Sequence, residues 1–442
     1  MDMIERTGGS LTGWLRNGFL SGRVSGVVRA FTDVVYYIAF SFCFSWTFVR
    51  SSTLFNGIMT HEQRTYLNDL RKIAILAAII CAALMLLMEK KIWLAVIEAA
   101  LLAAGYINWT DGCRQIFLFA MCAMIAGATG RSFRMVLPLT LIEGTILMAG
   151  AFAASQTGMI EDLVYSGNRH SFGIIYCTDC AAHVLFLMLT WLMLRIELLR
   201  LSDLLLLPFC LCFMYFTHAK TNILCSLFMI TGTVIYIVTA RRWGRRIWKI
   251  PAAVLCFSYP VSAAVSLGMA LFADIENVSL RTALDSVDRS LVKRLEMSRR
   301  AFEENPVTWF GAKIKEKSFG GKVGGFEGWD KYFFIDNSYI RLLFFGGIIL
   351  FVLLLLIMTW AQLRCFASGN YGCVFLLSVV ALTCIMEHHL SEFYYNVFPL
   401  MAFAGGSFFR KKRMGPEKKG PRPDPAGTEP PQMEETAREV KI

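Results

Sequence analysis

The chain has 442 residues, of which 56% are hydrophobic and 17% charged, and a formal net charge of +11. So little charge cannot keep the surface of a soluble protein of this length wet. The apolar residues fall in blocks of about 17–23, the length that crosses a hydrocarbon core of about 30 Å. These blocks are apolar on every side, unlike the amphipathic helices of a soluble core. The positive excess sits largely in short hydrophilic links and in the tail, where it reads as topology information and not as a nucleic-acid footprint. Nearly all of the thirteen cysteines lie inside apolar blocks (Cys43, Cys81, Cys122, Cys210, Cys212, Cys225, Cys256), which excludes a disulfide framework. Cys177-x-x-Cys180 has redox spacing but no thioredoxin context. The first 30 residues are mixed and basic, without the short apolar core of a cleavable signal peptide.

In chain order the pattern predicts an all-α, polytopic transmembrane bundle of about twelve spans. They run over 31–49, 73–89, 91–108, 116–130, 135–154, 173–194, 203–217, 221–240, 250–272, 338–360, 371–387 and 394–409. Three regions follow: an N-terminal segment 1–30, a membrane domain 31–409, and a tail 410–442 that is basic and then disordered. The links Arg241-Arg242-Trp243-Gly244-Arg245-Arg246 and Arg410-Lys411-Lys412-Arg413 mark the cytoplasmic side, so both termini are expected inside. The outer segment 50–72 runs against this rule, since it carries Arg50, Arg64, Arg71 and Lys72.

The long polar stretch 273–336 then falls on the extracytoplasmic face. It holds eleven Lys/Arg and eleven Asp/Glu, so it is neutral where the cytoplasmic links are basic. Leu284, Val287, Leu291, Leu295 and Phe302 recur at near-helical spacing, predicting an amphipathic helix that Asn305-Pro306 ends. The second half, with Gly320-Gly321, Gly324-Gly325 and Gly328 among Trp309, Phe326 and Trp329, predicts an irregular, membrane-hugging loop.

The same topology collects all six histidines at the outer face, together with Asp179, Asp336, Glu387 and Glu392. Charges at membrane depth are costly and mark a function or a buried pair. Asn168-Arg169-His170-Ser171-Phe172-Gly173 precedes Asp179 and His183, which share a helical face at i,i+4; an interfacial anchor with a satisfied pair is the structural alternative. In Thr217-His218-Ala219-Lys220-Thr221 a cation sits in a tight turn, able to bind an anion or to snorkel to headgroups. Arg289, Lys293 and Arg294 form a basic face suited to a diphosphate, or a solvated helix face. Glu387-His388-His389-Leu390 packs three ionisable groups between two spans, with Tyr395-Asn396 following. Adjacent histidines rarely face the same way, and no HExxH or CxxC…H spacing is present, so the pattern predicts no metal and no cofactor.

Taken together and in order, R-x-S-F-G, T-D-x-A-A-H, T-x-x-K-T, W-F-G, D-N-x-Y and E-H-H-L resemble the bacterial polysaccharide polymerases of the Wzy type, related to the O-antigen ligases. The resemblance covers roughly residues 30–409. Two departures stand out: Lys220 replaces a frequent Arg, losing bidentate geometry, and Ala312 follows Gly311 where a second Gly is common. The resemblance implies a multi-pass protein of the bacterial cell (inner or plasma) membrane that polymerises repeat units linked to undecaprenyl diphosphate. Its partners would be that lipid-linked oligosaccharide, membrane lipid, a flippase and a chain-length regulator, with no nucleic acid. It implies Arg169 and Arg289, then Lys220 and Arg294, for the diphosphate, and Asp336, Glu387 or His388 as the base. Asp179 and His183 would orient Arg169 or the acceptor, and His170, Asn337 and Asn396 complete the substrate-binding set. A ligase of the same superfamily shares the donor chemistry. A lipid-oligosaccharide transporter is disfavoured, because polar groups gather at one edge and not at the midplane.

Overall fold

The computed structural model describes residues 22–89, 92–196, 201–273, 277–287, 290–318 and 332–405. The N-terminal segment up to residue 21, Arg289, the glycine-rich stretch 319–331 and the tail from 406 lie outside these residues. Among the described residues the protein is all-α, with fourteen principal helices. They are α1 (Gly22–Arg50), α2 (His61–Glu89), α3 (Ile92–Thr110), α4 (Ile116–Gly127), α5 (Phe133–Gln156), α6 (Cys177–Arg195) and α7 (Leu206–Tyr215). Then follow α8 (Lys220–Trp243), α9 (Lys249–Leu255), α10 (Ser258–Phe272), α11 (Val278–Val287), α12 (Ser290–Glu304), α13 (Gly347–Ala367) and α14 (Tyr371–Met386). A two-stranded hairpin pairs Val164–Tyr165 with Arg169–His170.

Eight helical stretches are long and apolar enough to cross a membrane, and three shorter apolar helices accompany them. The chain is a multi-pass membrane protein. Two of the shorter helices, α4 and α14, are short for a physical reason. In α4 every residue from Leu118 to Gly127 is buried, and in α14 so is nearly all of Gly372–Cys384. A helix enclosed by protein is apolar all round and need not match the bilayer; α4, with 12 residues, is about 18 Å long. α2 and α3 enclose α4, while α8 and α10 pack on α14.

The expected twelfth span, 394–409, is not a helix where it is described. Only Phe398–Ala402 coils, as a tight turn, and Tyr395 through Ala404 are buried. The segment runs from Glu387, after α14, to the turn before α5. There Gly130 N donates to Phe403 O and Gly405 N to Arg131 O, at 3.2 and 2.7 Å. Irregular backbone survives at membrane depth only when enclosed by protein that satisfies its polar groups. Arg364, in the last turn of α13, donates to both Met401 O and Ala402 O at 2.7 Å.

The long polar stretch begins with two helices, α11 and α12, in place of one. Helix α12 ends at Glu304 as Asn305-Pro306 predicts and buries Leu291, Leu295 and Ala301, packing against α10. Beyond it the W-F-G motif docks as backbone: Ile348 N and Ile349 N donate to Thr308 O and Trp309 O, and Ala312 N to Phe344 O. Gly311 has φ +84, and a Cβ there would meet Phe345 O at 2.0 Å, so only glycine fits. Asn108 at the end of α3 clamps the junction, donating to Phe310 O and Phe345 O at 2.6 Å. Asn108→Ala strips both buried carbonyls of their donor. Unfolding in detergent should show a loss of about 2–4 kcal/mol, two buried groups at 1–3 kcal/mol each with partial relaxation; unchanged stability would mean that the clamp holds nothing.

Candidate functional site

Three segments meet at one end of the bundle. The first is α12, which presents Arg294. The second is the approach to the one-turn helix Ser338–Arg341, where Asn337 accepts from Tyr339 N and Ile340 N as a cap and leaves Asp336 just outside. The third is Glu387–Glu392, where the chain leaves α14 in an extended conformation. Ser338 ties the last two together, donating to Glu387 O and accepting from Leu390 N.

Arg294 lies between two carboxylates. Its Nε is 3.3 Å from Asp336 Oδ2, its Nη1 3.2 Å from Glu387 Oε1, and the same Nη1 donates to Met386 O. Glu387 is 2% exposed and receives a second donor from Asn222 Nδ2 at 3.4 Å. Around this centre stand His388, with Nδ1 3.9 Å from Asp336 Oδ1, and His389, with Nδ1 3.2 Å from Glu392 Oε2. Glu392 also accepts from Tyr394 OH at 3.2 Å. Arg341 is committed to Glu316 and stacks over Phe345.

Burial pushes the Asp336 carboxyl up to about 6 against the pull of Arg294. Burial also opposes the charge on Glu392, but His388 and His389 outweigh it and hold that carboxyl at about 2. Burial drives His388 well below its ordinary value, so its ring is neutral at pH 7. For His389 burial works the same way, yet the hydrogen bond it makes to Glu392 prevails and its affinity for a proton rises.

A second group lies beside this centre. The turn carrying Arg169 lies against the turn after α7: His170 N donates to Phe216 O and Arg169 Nε to Thr217 O at 3.3 Å. Lys220 is exposed at the start of α8, two residues before Asn222. Asn222 donates to Thr178 O as well as to Glu387, so it ties the start of α8 to the first turn of α6 and to the acidic centre. His170 pairs with Asp162 at 2.7 Å, and Asp162 also accepts from Ser171 N and Phe172 N, holding a turn in which Asn168 and Phe172 have positive φ.

Asp336, Glu387, His388 and Arg294 thus converge, with Asp179 near the histidines. Arg169, His170 and Lys220 form the neighbouring group. Asp179 and His183 share a helical face yet form no hydrogen bond to each other among the described residues. His183 bonds Ser51 Oγ at 3.1 Å and is held between Phe48 and Tyr395, ring centroids 4.3 and 4.0 Å away. Asn337 and Asn396 serve backbone: Asn337 caps its turn and donates to Ile385 O, and Asn396 donates to Leu390 O and accepts from Phe398 N. Arg289 lies outside the described residues. The sequence pattern gives Glu392 no role and does not single out Asn222, Ser338, Asp162 or Arg341. The one signal it holds for any of these is a polar residue inside an apolar block, which applies to Asn222.

Asp179, His388 and His389 are also the described residues able to bring one ligand atom each within 4.8 Å of one another. No family model matches the chain, and no curated protein or solved structure matches it.

Removing one partner of a buried ion pair strands the other charge, at about 3–5 kcal/mol. Arg294→Met should therefore lower stability by that order in detergent, and Arg294→Met with Glu387→Gln should recover part of the loss. Purely additive effects in this double-mutant cycle would show that the two side chains do not interact.

Proposed function

We propose that the chain is a Wzy-type polysaccharide polymerase of a bacterial cell membrane, with the Arg294 end of the bundle facing the extracytoplasmic side. It would move a growing glycan from undecaprenyl diphosphate onto the terminal sugar hydroxyl of a fresh lipid-linked repeat unit. The observation that carries this reading is a buried carboxylate centre reached by Asn222, which lies two residues after Lys220 at the start of α8 and donates to Glu387.

The reaction breaks the bond between the anomeric carbon and the diphosphate oxygen and forms one to the acceptor oxygen. The hydroxyl proton must leave as the nucleophile attacks, and negative charge must accumulate on the departing diphosphate. Asp336 and Glu387, carboxylates in a water-poor setting that share Arg294, are the groups proposed to take that proton. Arg169 is suited to the leaving group: one of its N–H groups goes to Thr217 O, and the remaining ones make no hydrogen bond among the described residues. Lys220 adds an exposed point charge at the start of α8, where a helix N-terminus also favours an anion.

A ligase would use the same donor and much of the same site. Glycan chain length separates the two. Arg169→Ala, expressed in a strain lacking the native copy, should abolish polymer while single lipid-linked repeat units remain. Normal chain length in that strain would overturn the role of Arg169, and full-length polymer stranded on its carrier in the deletion strain would assign a ligase.

A further inference from the structure

We infer that Asp179, His388 and His389 hold a divalent first-row transition-metal ion at the Arg294 end of the bundle. Asp179 comes from the first turn of α6 and the histidines from the link after α14, and a ligand atom from each lies within 4.8 Å of the others. Sequence spacing argues against this, since neighbouring side chains usually diverge. Here the chain turns tightly at His389–Ser391, and the two imidazole centroids are 4.3 Å apart.

Independent evidence for a ligand comes from His389, which has no solvent exposure. Its Nδ1 meets Glu392 Oε2 at 3.2 Å, so Nδ1–H donates to the carboxylate, and in the neutral ring the lone pair is on Nε2, where a metal ion would take the place of a proton. That Nε2 is buried without a hydrogen-bond partner; the nearest carboxylate oxygen, Glu387 Oε2, is 4.0 Å away. A carboxylate behind a histidine, fixing its tautomer and leaving the second nitrogen free, is the usual support for a metal ligand. His388 Nδ1 is likewise buried without a hydrogen bond, 3.9 Å from Asp336, while its Nε2 lies 3.7 Å from Glu392. Charge points the same way: Asp179, Asp336, Glu387 and Glu392 gather here, Arg294 pairs with Asp336 and Glu387, and Arg341 pairs with Glu316 while also acting on Glu392 and Asp336. Two imidazoles and a carboxylate suit zinc, manganese or iron, whereas calcium and magnesium prefer all-oxygen shells.

The binding claim stands on geometry alone. Its use in catalysis rests on the glycosyl-transfer reading: the ion would oppose charge building on the departing diphosphate, His388 would serve as a ligand, and the proton would go to Asp336 or Glu387.

The test uses the full chain in detergent, stripped with EDTA and titrated with Zn2+ alone. Wild type and His61→Ala should bind one zinc more per chain than Asp179→Asn/His389→Gln, counted by mass spectrometry. Glu392→Gln should weaken that binding about 10–100-fold. Thirteen free cysteines could also take zinc, so Co2+ is substituted, and the site-dependent signal should lack thiolate charge-transfer absorption. Equal zinc in wild type and double variant, or a thiolate spectrum, would overturn the site and leave His389 as an imidazolium between Glu387 and Glu392. Should the double variant fail to fold, the wild type still decides: zinc must raise its melting temperature after EDTA, and no rise overturns the proposal. Zinc binding with normal polymer in Asp179→Asn would remove the ion from the reaction. Normal polymer in Arg169→Ala would instead remove the diphosphate role and leave the zinc count untouched.

Discussion

The architecture of this end of the protein depends on one guanidinium. Arg294 holds Asp336 at 3.3 Å and Glu387 at 3.2 Å, and these residues belong to segments separated by the helices α13 and α14. A buried cation between two acids is favourable only when its geometry and remaining hydrogen bonds offset desolvation. Arg294 meets that condition by also donating to Met386 O, at the last residue of α14. The helix that carries it is therefore fixed to the bundle by charge as well as by Leu291 and Leu295. The electrical neutrality of the long polar stretch follows the same logic: Arg299, Arg300 and Arg341 each pair with a glutamate of that stretch.

Holding charge in this setting demands backbone that departs from regular helix. The chain from Glu387 to Gly405 and the run from Thr308 to Ala312 bring side chains together that a helix would splay apart. Each departure leaves carbonyls and amides that water cannot reach. Side chains close those gaps: Asn108 for Phe310 and Phe345, Ser338 for Glu387 and Leu390, Arg364 for Met401 and Ala402. Asn337 and Asn396 belong with them, which is why two residues that read in sequence as substrate-binding are engaged with backbone.

The membrane character was legible, because a soluble fold has no way to bury so many apolar blocks of bilayer length. The apparent twelfth span was not, because composition reports burial and not conformation. Residues 394–405 are as apolar as a span, but Asn396 and Pro399 interrupt them, and the surrounding helices supply what a lipid-facing helix would have to supply itself. Three of the four basic residues of 50–72 that conflict with the topology rule have local partners: Arg50 and Arg64 lie over Phe55, and Lys72 pairs with Asp69; Arg71 is buried. Within the site, Glu387, His388 and Asp336 were legible because ionisable groups beside apolar blocks are expensive. Their connection through Arg294 was not, since Arg294 reads equally well as part of a solvated face. The approach of His388 to His389 depends on a backbone turn that spacing rules do not encode.

The link through Asn222 bears most directly on chemistry. Asn222 is fully buried and carries one amide between Thr178 O and Glu387. Two residues earlier in the chain, Lys220 faces outward, and the preceding turn accepts Arg169 through Thr217 O. Arg169 is thus engaged with a backbone carbonyl, while Glu387 receives Asn222 and Arg294. The proposed glycosyl transfer would call for two such groups: opposite charge where the leaving group departs, and a proton acceptor where the hydroxyl attacks. Had Arg169 found a carboxylate partner as Arg294 did, its charge would already be neutralised, and the proposed diphosphate would have to displace that partner to reach it.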